Sequence, residues 1–100
     1  MNPYICEKFE KATILLNQRW IGLIVHQLLK GEKRFNHLQK SLNVTSKVLS
    51  QRLKLLEEEA IIERIIYPES PVRIEYTLTD KGRALQPVIE SIQHWANHWI

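Results

Sequence analysis

The sequence predicts an α+β fold that is mainly helical and carries a single β-hairpin. Three observations predict this fold. Apolar residues recur at helical spacing along most of the chain, and the pattern changes to alternation only between residues 63 and 78. The chain has 100 residues, of which 44% are hydrophobic and 25% charged, which suffices for one domain with a modest core. We therefore expect residues 1–100 to form a single domain.

Two helices are predicted before residue 31. Residues 6–16 form the first, with Phe9 and Leu16 on its less polar side. Residues 20–29 form the second, which is apolar nearly all round and ends before Gly31. A helix with so little polar surface is expected at the centre of the core.

Residues 34–59 are predicted to form two amphipathic helices joined by a tight turn at Asn43 and Val44, with Thr45 as the N-cap of the second helix. Each helix has an apolar face, formed by Phe35, Leu38 and Leu42 in the first and by Leu49, Leu53 and Leu56 in the second. The opposite face of the second helix carries hydrogen-bond donors and no acid: Lys47, Ser50, Gln51 and Lys54. Such a pair is typical of a DNA-reading unit, although basic helical hairpins also occur in proteins that bind no nucleic acid.

Positive charge is concentrated in this same region. Residues 30–54 contain seven lysines and arginines against one acid, Glu32, and so have a net charge of +6. Residues 55–100 have a net charge of −4, which leaves the whole chain at only +3. A basic unit inside an otherwise acidic chain indicates phosphate contact and favours double-stranded DNA as the partner.

A β-hairpin is predicted directly after the helix pair. Its strands are residues 63–67 and 72–78, and the tip is residues 68–71, which contain two prolines. Alternation predicts that one face of the second strand points to the core: Val72, Ile74, Tyr76 and Leu78. Arg73, on the other face, is a candidate for minor-groove or phosphate contact, or else a cross-strand partner for an acid. A helix-turn-helix followed by a hairpin is a winged helix.

The last predicted helix is capped by Thr79 and has an apolar stripe that runs to the chain end. The stripe consists of Leu85, Val88, Ile89, Ile92, Trp95, Ala96 and Trp99. A chain of this length has little left to cover it, so we expect the first and last helices to form a homodimer interface. Pro87 lies inside the predicted helix and should impose a kink.

Several function classes are excluded by what the sequence lacks. No apolar run approaches the ~18 residues of a membrane span, and no signal peptide is apparent, so we expect a cytoplasmic protein. The single cysteine excludes an intrachain disulfide. His94 and His98 share a helix face but lack further ligands, so we expect no metal and no cofactor. Without a phosphate loop or a catalytic motif, we expect no enzyme.

The candidate DNA contacts follow from the helix faces and the charge. We expect Ser50, Gln51 and Lys54 to meet base edges, and Ser46 and Lys47 to lie nearer the DNA backbone. The full set of candidates is Arg34, Lys40, Ser46, Lys47, Ser50, Gln51, Lys54 and Arg73.

Several motifs in a fixed order make the chain resemble the HxlR-type transcriptional regulators, which are winged-helix proteins related in fold to the MarR type. The motifs are Cys6, RWIGLI at 19–24, RFNHL at 34–38, LSQRLKLLE at 49–57, PVRIEYTLTDKGR at 71–83 and Trp95. Residues 19–24 are most similar to the subset that senses quinones and diamide. The resemblance implies a dimeric repressor or activator on an inverted-repeat operator, with target genes for quinone or nitro-compound reduction.

Two positions depart from the pattern of that family. Ala60 stands where the family usually has glycine, and an alanine in left-handed backbone there would cost on the order of 1 kcal/mol. Glu7 follows Cys6 where the family favours proline. Because Pro3 comes earlier, we expect the first helix to start sooner and to hold Cys6 in its first turn.

The resemblance also implies that Cys6 senses quinones or oxidants and releases DNA when it is modified. Its place at the edge of the apolar face of the first helix, at the expected dimer seam, favours this role. Two alternatives stay open. Cys6 is an inert packing residue in a regulator without redox sensing, or the winged helix serves only protein–protein assembly, against which the charge of residues 30–54 counts.

Overall fold

Helices precede and follow one antiparallel hairpin in the computed structural model, which describes residues 6–100. The elements are α1 (Glu7–Leu16), α2 (Ile21–Leu28), α3 (Phe35–Leu42), α4 (Ser46–Glu58), β1 (Ile62–Tyr67), β2 (Arg73–Leu78), α5 (Asp80–Arg83) and α6 (Gln86–Trp99). The predicted winged helix-turn-helix is therefore confirmed: α3 and α4 form the helix-turn-helix, and β1 and β2 form the wing.

The core is built around α2, as its composition predicts. Ile21, Ile24, Val25 and Leu28 are buried on the side of α2 that meets α3, the wing and α6. The other elements contribute Leu38, Leu49, Leu53, Leu56, Ile61, Ile62, Leu78 and Ile89. One side of α2 nevertheless stays uncovered, since Leu23 is 52% exposed.

The turn between α3 and α4 forms as the sequence predicts. Asn43 adopts left-handed backbone with φ +53°, which asparagine tolerates better than most residues. Thr45 caps α4, because its Oγ1 accepts a hydrogen bond from the backbone N–H of Val48 at 3.2 Å. Turn and cap together fix the direction in which α4 leaves α3.

The wing alternates as predicted, but the core covers only its base. Ile62 pairs with Leu78, and both are buried, whereas Ile66 pairs with Ile74 near the tip, where both are exposed. The expectation that Val72 and Ile74 face the core is therefore wrong: Val72 is exposed too, and β2 begins one residue after it. Near the tip the side chains of Arg73 and Glu75, on the opposite face, are less exposed than those of Val72 and Ile74.

The prediction for the last helix is wrong in two respects. Thr79 caps the short helix α5 by accepting a hydrogen bond from the N–H of Gly82, and the long helix α6 begins only at Gln86. Pro87 therefore lies in the first turn of α6 and costs that helix no hydrogen bond. It has no N–H to donate to the carbonyl of Arg83, four residues earlier, where α5 ends, so Pro87 is associated with a break between two helices and not with a kink inside one.

Gly82 allows α5 to pack closely against the segment that follows α4. A Cβ at this position would overlap the backbone carbonyl oxygen of Ile61. Thr79 Oγ1 donates to the neighbouring carbonyl of Ala60 at 2.6 Å. Ala60 has φ +57°, so the left-handed backbone that makes alanine costly is present.

The N-terminal helix begins later than predicted. Cys6 has extended backbone and is the N-cap residue of α1, so it does not lie within the first helical turn. Pro3, on which that expectation depended, lies outside the described residues. None of the helices described in residues 6–100 has the length and apolar character needed to cross a membrane.

Candidate DNA interface and sensor residue

One side of α4 presents polar donors to solvent. Lys47, Ser50, Gln51 and Lys54 lie at i, i+3, i+4 and i+7, and all four are exposed. Within residues 6–100, neither of the two lysines has a carboxylate within ion-pair distance, 4.0 Å. This side of α4, formed by Lys47, Ser50, Gln51 and Lys54 and called the donor face below, is therefore both basic and free to bind an anionic surface.

The charge along α4 is uneven. Its last turns carry acids, of which Glu57 pairs with Arg64 of the wing at 3.4 Å. Arg34 is the N-cap residue of α3, Lys40 lies in its last turn, and both are exposed. Because Gln39, next to Lys40, contacts Ser46, Lys40 lies near the start of α4, the end that meets base edges in helix-turn-helix proteins.

Ser46 has a structural contact in addition to its predicted role. The Gln39 side-chain amide of α3 donates a hydrogen bond to Ser46 Oγ at 2.8 Å. The hydroxyl hydrogen of Ser46 is still available to donate to a phosphate oxygen. The contact also braces the first turn of α4 against α3, close to the cap at Thr45.

Arg73 is held inside the wing. Its guanidinium lies 3.9 Å from the centre of the Tyr67 ring and forms ion pairs with Glu69 at 3.0 Å and Glu75 at 2.9 Å. Its Nε is buried and has no hydrogen-bond partner among the described residues. The two carboxylates offset the charge of Arg73 and hold its side chain within the wing, which weakens its case as a phosphate contact.

The wing is tied to the segment that links α2 and α3. Lys33 forms an isolated bridge with Tyr76: the Lys33 N–H donates to the Tyr76 carbonyl at 3.1 Å, and the Tyr76 N–H donates to the Lys33 carbonyl at 2.7 Å. The Tyr67 hydroxyl donates to Glu32 Oε2 at 3.0 Å, which raises the pKa of Tyr67, and burial raises the pKa of Tyr76. Both phenols are therefore neutral at physiological pH and can act as donors.

Cys6 is exposed to solvent at the start of α1. The thiol is exposed and is not part of a disulfide among the described residues. Helix α1 buries none of its own residues in this chain, and its apolar side chains Phe9 and Ile14 are 68% and 59% exposed. A reagent can reach Cys6, and α1 packs against the core only through Leu15 and Leu16 at its end.

The apolar stripe of α6 is similarly uncovered. Ile89 is buried against the core, but Ile92, Trp95 and Trp99 are 58%, 57% and 69% exposed. A cleft of about 450 Å³ separates this helix from α2 and is lined by Leu16, Trp20, Leu23, His26, Ile89 and Ile92. The exposed faces of α1 and α6 are larger than isolated surface hydrophobes explain.

Known proteins match this arrangement along nearly the whole chain. The HxlR-like helix-turn-helix family matches residues 15–100. The transcriptional regulator YvaP of Bacillus subtilis is 52% identical over 97 residues, which cover 96% of this chain and 90% of YvaP. This chain belongs to the HxlR family of helix-turn-helix transcriptional regulators.

Solved structures of a second helix-turn-helix transcriptional regulator have the same fold. YodB of B. subtilis is 46% identical to this chain over 100 residues, which cover 99% of this chain and 89% of YodB. Its reduced form superposes with a TM-score of 0.86, covering 95% of this chain and 94% of that one. The diamide-treated form superposes with a TM-score of 0.80, covering 96% of each chain, and the quinone-bound form with 0.82, covering 95% of this chain and 100% of that one.

Two features of this HxlR-family chain were not predicted from its sequence. Arg52 of α4 donates from Nε to the carbonyl oxygen of Arg19 at 2.8 Å, although the two residues are 33 positions apart. Trp20, next to Arg19, has φ +78°, which is rare for a bulky residue. Local periodicity gives no signal for either feature; the only hint is that Arg52 lies on neither the apolar nor the donor face of α4.

The histidine pair of α6 has no metal-binding surroundings. His94 and His98 are exposed, and His98 packs edge-on against Trp99 with ring centres 4.8 Å apart. Residues 6–100 contain no cluster of three side chains able to hold a metal ion.

Proposed function

We propose that this regulator is a homodimeric repressor that binds an inverted-repeat operator through α4 and releases it when an electrophile or oxidant modifies Cys6. One observation carries the DNA-binding part: the solvent-facing side of α4 combines two lysines with Ser50 and Gln51 and has no carboxylate partner within residues 6–100. We place its action in the cytoplasm.

In the proposed complex, two α4 helices enter successive major grooves about 34 Å apart. Ser50, Gln51 and Lys54 meet base edges, and the amide of Gln51 is suited to paired hydrogen bonds with adenine. Ser46, Lys47, Arg34 and Lys40 neutralise or bind phosphates. Arg73 is a weaker candidate, since its ion pairs with Glu69 and Glu75 hold it within the wing.

The homodimer is proposed from the uncovered apolar faces of α1 and α6. Docking these faces against those of a second copy would remove Phe9, Ile92, Trp95 and Trp99 from water. Each large side chain moved from water into an apolar interface contributes roughly 1.5–3 kcal/mol. The symmetric arrangement also gives the two-fold axis that an inverted-repeat operator requires.

The proposed sensor is Cys6, at the end of α1 and therefore at the edge of the dimer seam. Similarity to YodB, which has quinone-bound and diamide-treated forms, supports this role. The Cys6 sulfur adds to a ring carbon of the quinone as a C=C π bond opens, and the thiol proton passes to a quinone oxygen to give a hydroquinone thioether. Alternatively, two Cys6 thiols join across the dimer while diamide takes up their two electrons and two protons. The exposed thiol counts against the inert packing role.

Either product forces α1 to move. Overpacking at a well-packed interface costs ~1–3 kcal/mol per site. Two sites per dimer give roughly 2–6 kcal/mol, which is comparable to the ~5.5 kcal/mol needed to reverse a 99:1 population. Movement of α1 changes the separation of the two α4 helices, and DNA is released.

The test is a DNA-binding titration with and without a quinone or diamide. The protein first selects fragments from its own genome, and the tightest-binding fragment is the probe. We expect wild type to lose affinity after treatment and Cys6→Ser to bind the fragment equally well before and after treatment. If both proteins bind alike and neither responds, Cys6 does not sense these reagents, and a failure to select any fragment would contradict DNA binding itself.

A further inference from the structure

Helix α4 has a third side, which is neither the buried side nor the donor face. Arg52, Leu55 and Glu59 lie at i, i+3 and i+7 on this side, and it looks toward α1. Direct packing between the two helices is incomplete, because a cavity of about 460 Å³ lies between them, lined on the α1 side by Lys11, Leu15 and Leu16. Leu15 and Leu16 reach the core at the end of α1, but side-chain packing fills only part of the space between the two helices.

A side-chain hydrogen bond joins α4 to the turn between α1 and α2. Arg52 Nε donates to the Arg19 carbonyl at 2.8 Å, in the turn that joins α1 to α2. Among the described residues, 6–100, this is the one side-chain hydrogen bond between α4 and the chain before α2. It fixes the position of the turn relative to the helix that carries the donor face.

The turn itself is held in an unfavourable conformation. Trp20 has left-handed backbone, and it is the N-cap residue of α2 without a side-chain cap. The Arg19 guanidinium lies 4.8 Å from the centre of the Trp20 ring. Backbone strain of this kind persists only where the surroundings impose it, and it is common at switch regions.

We propose that Arg52 is a positioning residue that couples the α1–α2 turn to α4, so that the position of α1 and the binding of DNA influence each other. The coupling rests on the proposed function, since it links the proposed sensor helix to the proposed DNA-reading helix. Arg52 contacts no base in this account. Its guanidinium is used within the chain, unlike the side chains of Lys47 and Lys54.

The coupling must act in both directions, because thermodynamic linkage is reciprocal. DNA bound to α4 should therefore stabilise the α1–α2 turn through Arg52. The backbone amides of Ile21 and Ile24 report on this turn, since they donate to the carbonyls of Gln18 and Trp20. Their hydrogen exchange can be measured without any modification of Cys6.

The experiment compares wild type, Arg52→Met and Lys54→Met, each free and saturated with the selected genomic fragment. We expect DNA to slow exchange at Ile21 and Ile24 in wild type and in Lys54→Met, by roughly 2- to 30-fold, the range typical of coupling residues. In Arg52→Met the slowing should be lost. Lys54→Met is the matched control because it removes one positive charge from the same helix.

Salt dependence separates positioning from phosphate contact. Lys47→Met, added for this measurement, should lower the slope of affinity against salt by about one ion, as loss of a phosphate contact does, whereas Arg52→Met should leave it unchanged. Wild-type protein that shows no slowing, or an Arg52→Met variant that keeps it, overturns the proposal. A smaller salt slope in Arg52→Met would assign Arg52 to a phosphate instead.

A second arm treats the three proteins with 1,4-benzoquinone and compares DNA affinity before and after. We expect the loss of affinity in Arg52→Met to be roughly 2- to 30-fold smaller than in wild type. Equal release by both would overturn the role of Arg52 and leave sensing intact. If wild type does not respond but DNA still slows exchange at the turn, sensing by Cys6 fails and the coupling stands.

Discussion

Helices α4 and α6 have similar apolar spacing but opposite surroundings. Leu49, Leu53 and Leu56 of α4 are almost completely buried within the chain. In α6 only Ile89 is buried, and the side chains further along the same stripe, Ile92 and Trp95, are more than half exposed. The apolar side of α4 is covered within one chain, whereas the apolar stripe of α6 is left largely uncovered.

The amino-acid pattern alone does not distinguish an apolar stripe that packs within its own chain from one that packs against a second chain. An apolar stripe shows that a helix packs against something, but it does not show whether the partner is in the same chain. In α4 the partner is the core around α2. For α6 the chain covers only part of the apolar stripe. Substitutions in the two stripes should therefore differ in how their effects depend on protein concentration.

The largest effect is expected for Leu49→Ala. Leu49 is fully buried, so the substitution should lower the free energy of unfolding by about 2–5 kcal/mol at any protein concentration. Ile92→Ala is the matched control. Because Ile92 is 58% exposed, its effect should be small in dilute protein and should grow as the protein is concentrated. Urea denaturation over a range of concentrations measures both, and equal, concentration-independent losses would remove the distinction.

A second prediction concerns the exposed face of α4. Gln51→Ala should cost ~1–3 kcal/mol of binding free energy at one operator position and relax the preference there. Lys47→Ala should instead weaken binding to all sequences alike and flatten the salt dependence, as expected from loss of a phosphate contact. Titration of operator and random duplexes measures both effects. Equal loss on the two DNAs for Gln51→Ala would show that its role is misassigned.

The smallest effect is expected where α4 joins the wing. Ala60 has φ +57° and is exposed, so Ala60→Gly should raise the free energy of unfolding by up to about 1 kcal/mol. The Gly82→Ala variant, 22 positions further along, should do the opposite, because its Cβ would overlap the Ile61 carbonyl. Thermal denaturation measures both changes, and a loss of stability in Ala60→Gly would contradict the strain at this position.

The parts of the fold that local chemistry determines were predictable. The cap at Thr45 depends on residues within a few positions of it, and so does the left-handed turn at Asn43. The break before α6 was missed, because Leu85 continues the apolar spacing across it. The close approach of Gly82 to Ile61 was missed as well, because Ile61 lies 21 positions earlier in the sequence.

In the candidate site, too, features set by local spacing were predictable and contacts between distant residues were not. The donor face of α4 follows from helical spacing and was found from the sequence. The partners of Arg73 depend on how the hairpin tip brings Glu69 back toward it, so the sequence left DNA and carboxylate as alternatives. The contact of Arg52 with Arg19 joins two distant segments, and no local pattern indicates it.

The most direct test of the difference between α4 and α6 is sedimentation of the wild-type protein at micromolar concentration. We expect a single species of twice the monomer mass. Ile92→Asp, which would bury an unpaired charge in the α6 seam, should sediment as a monomer or as unfolded chain. A folded wild-type monomer at these concentrations would contradict the account, because the exposed faces of α1 and α6 would then remain uncovered.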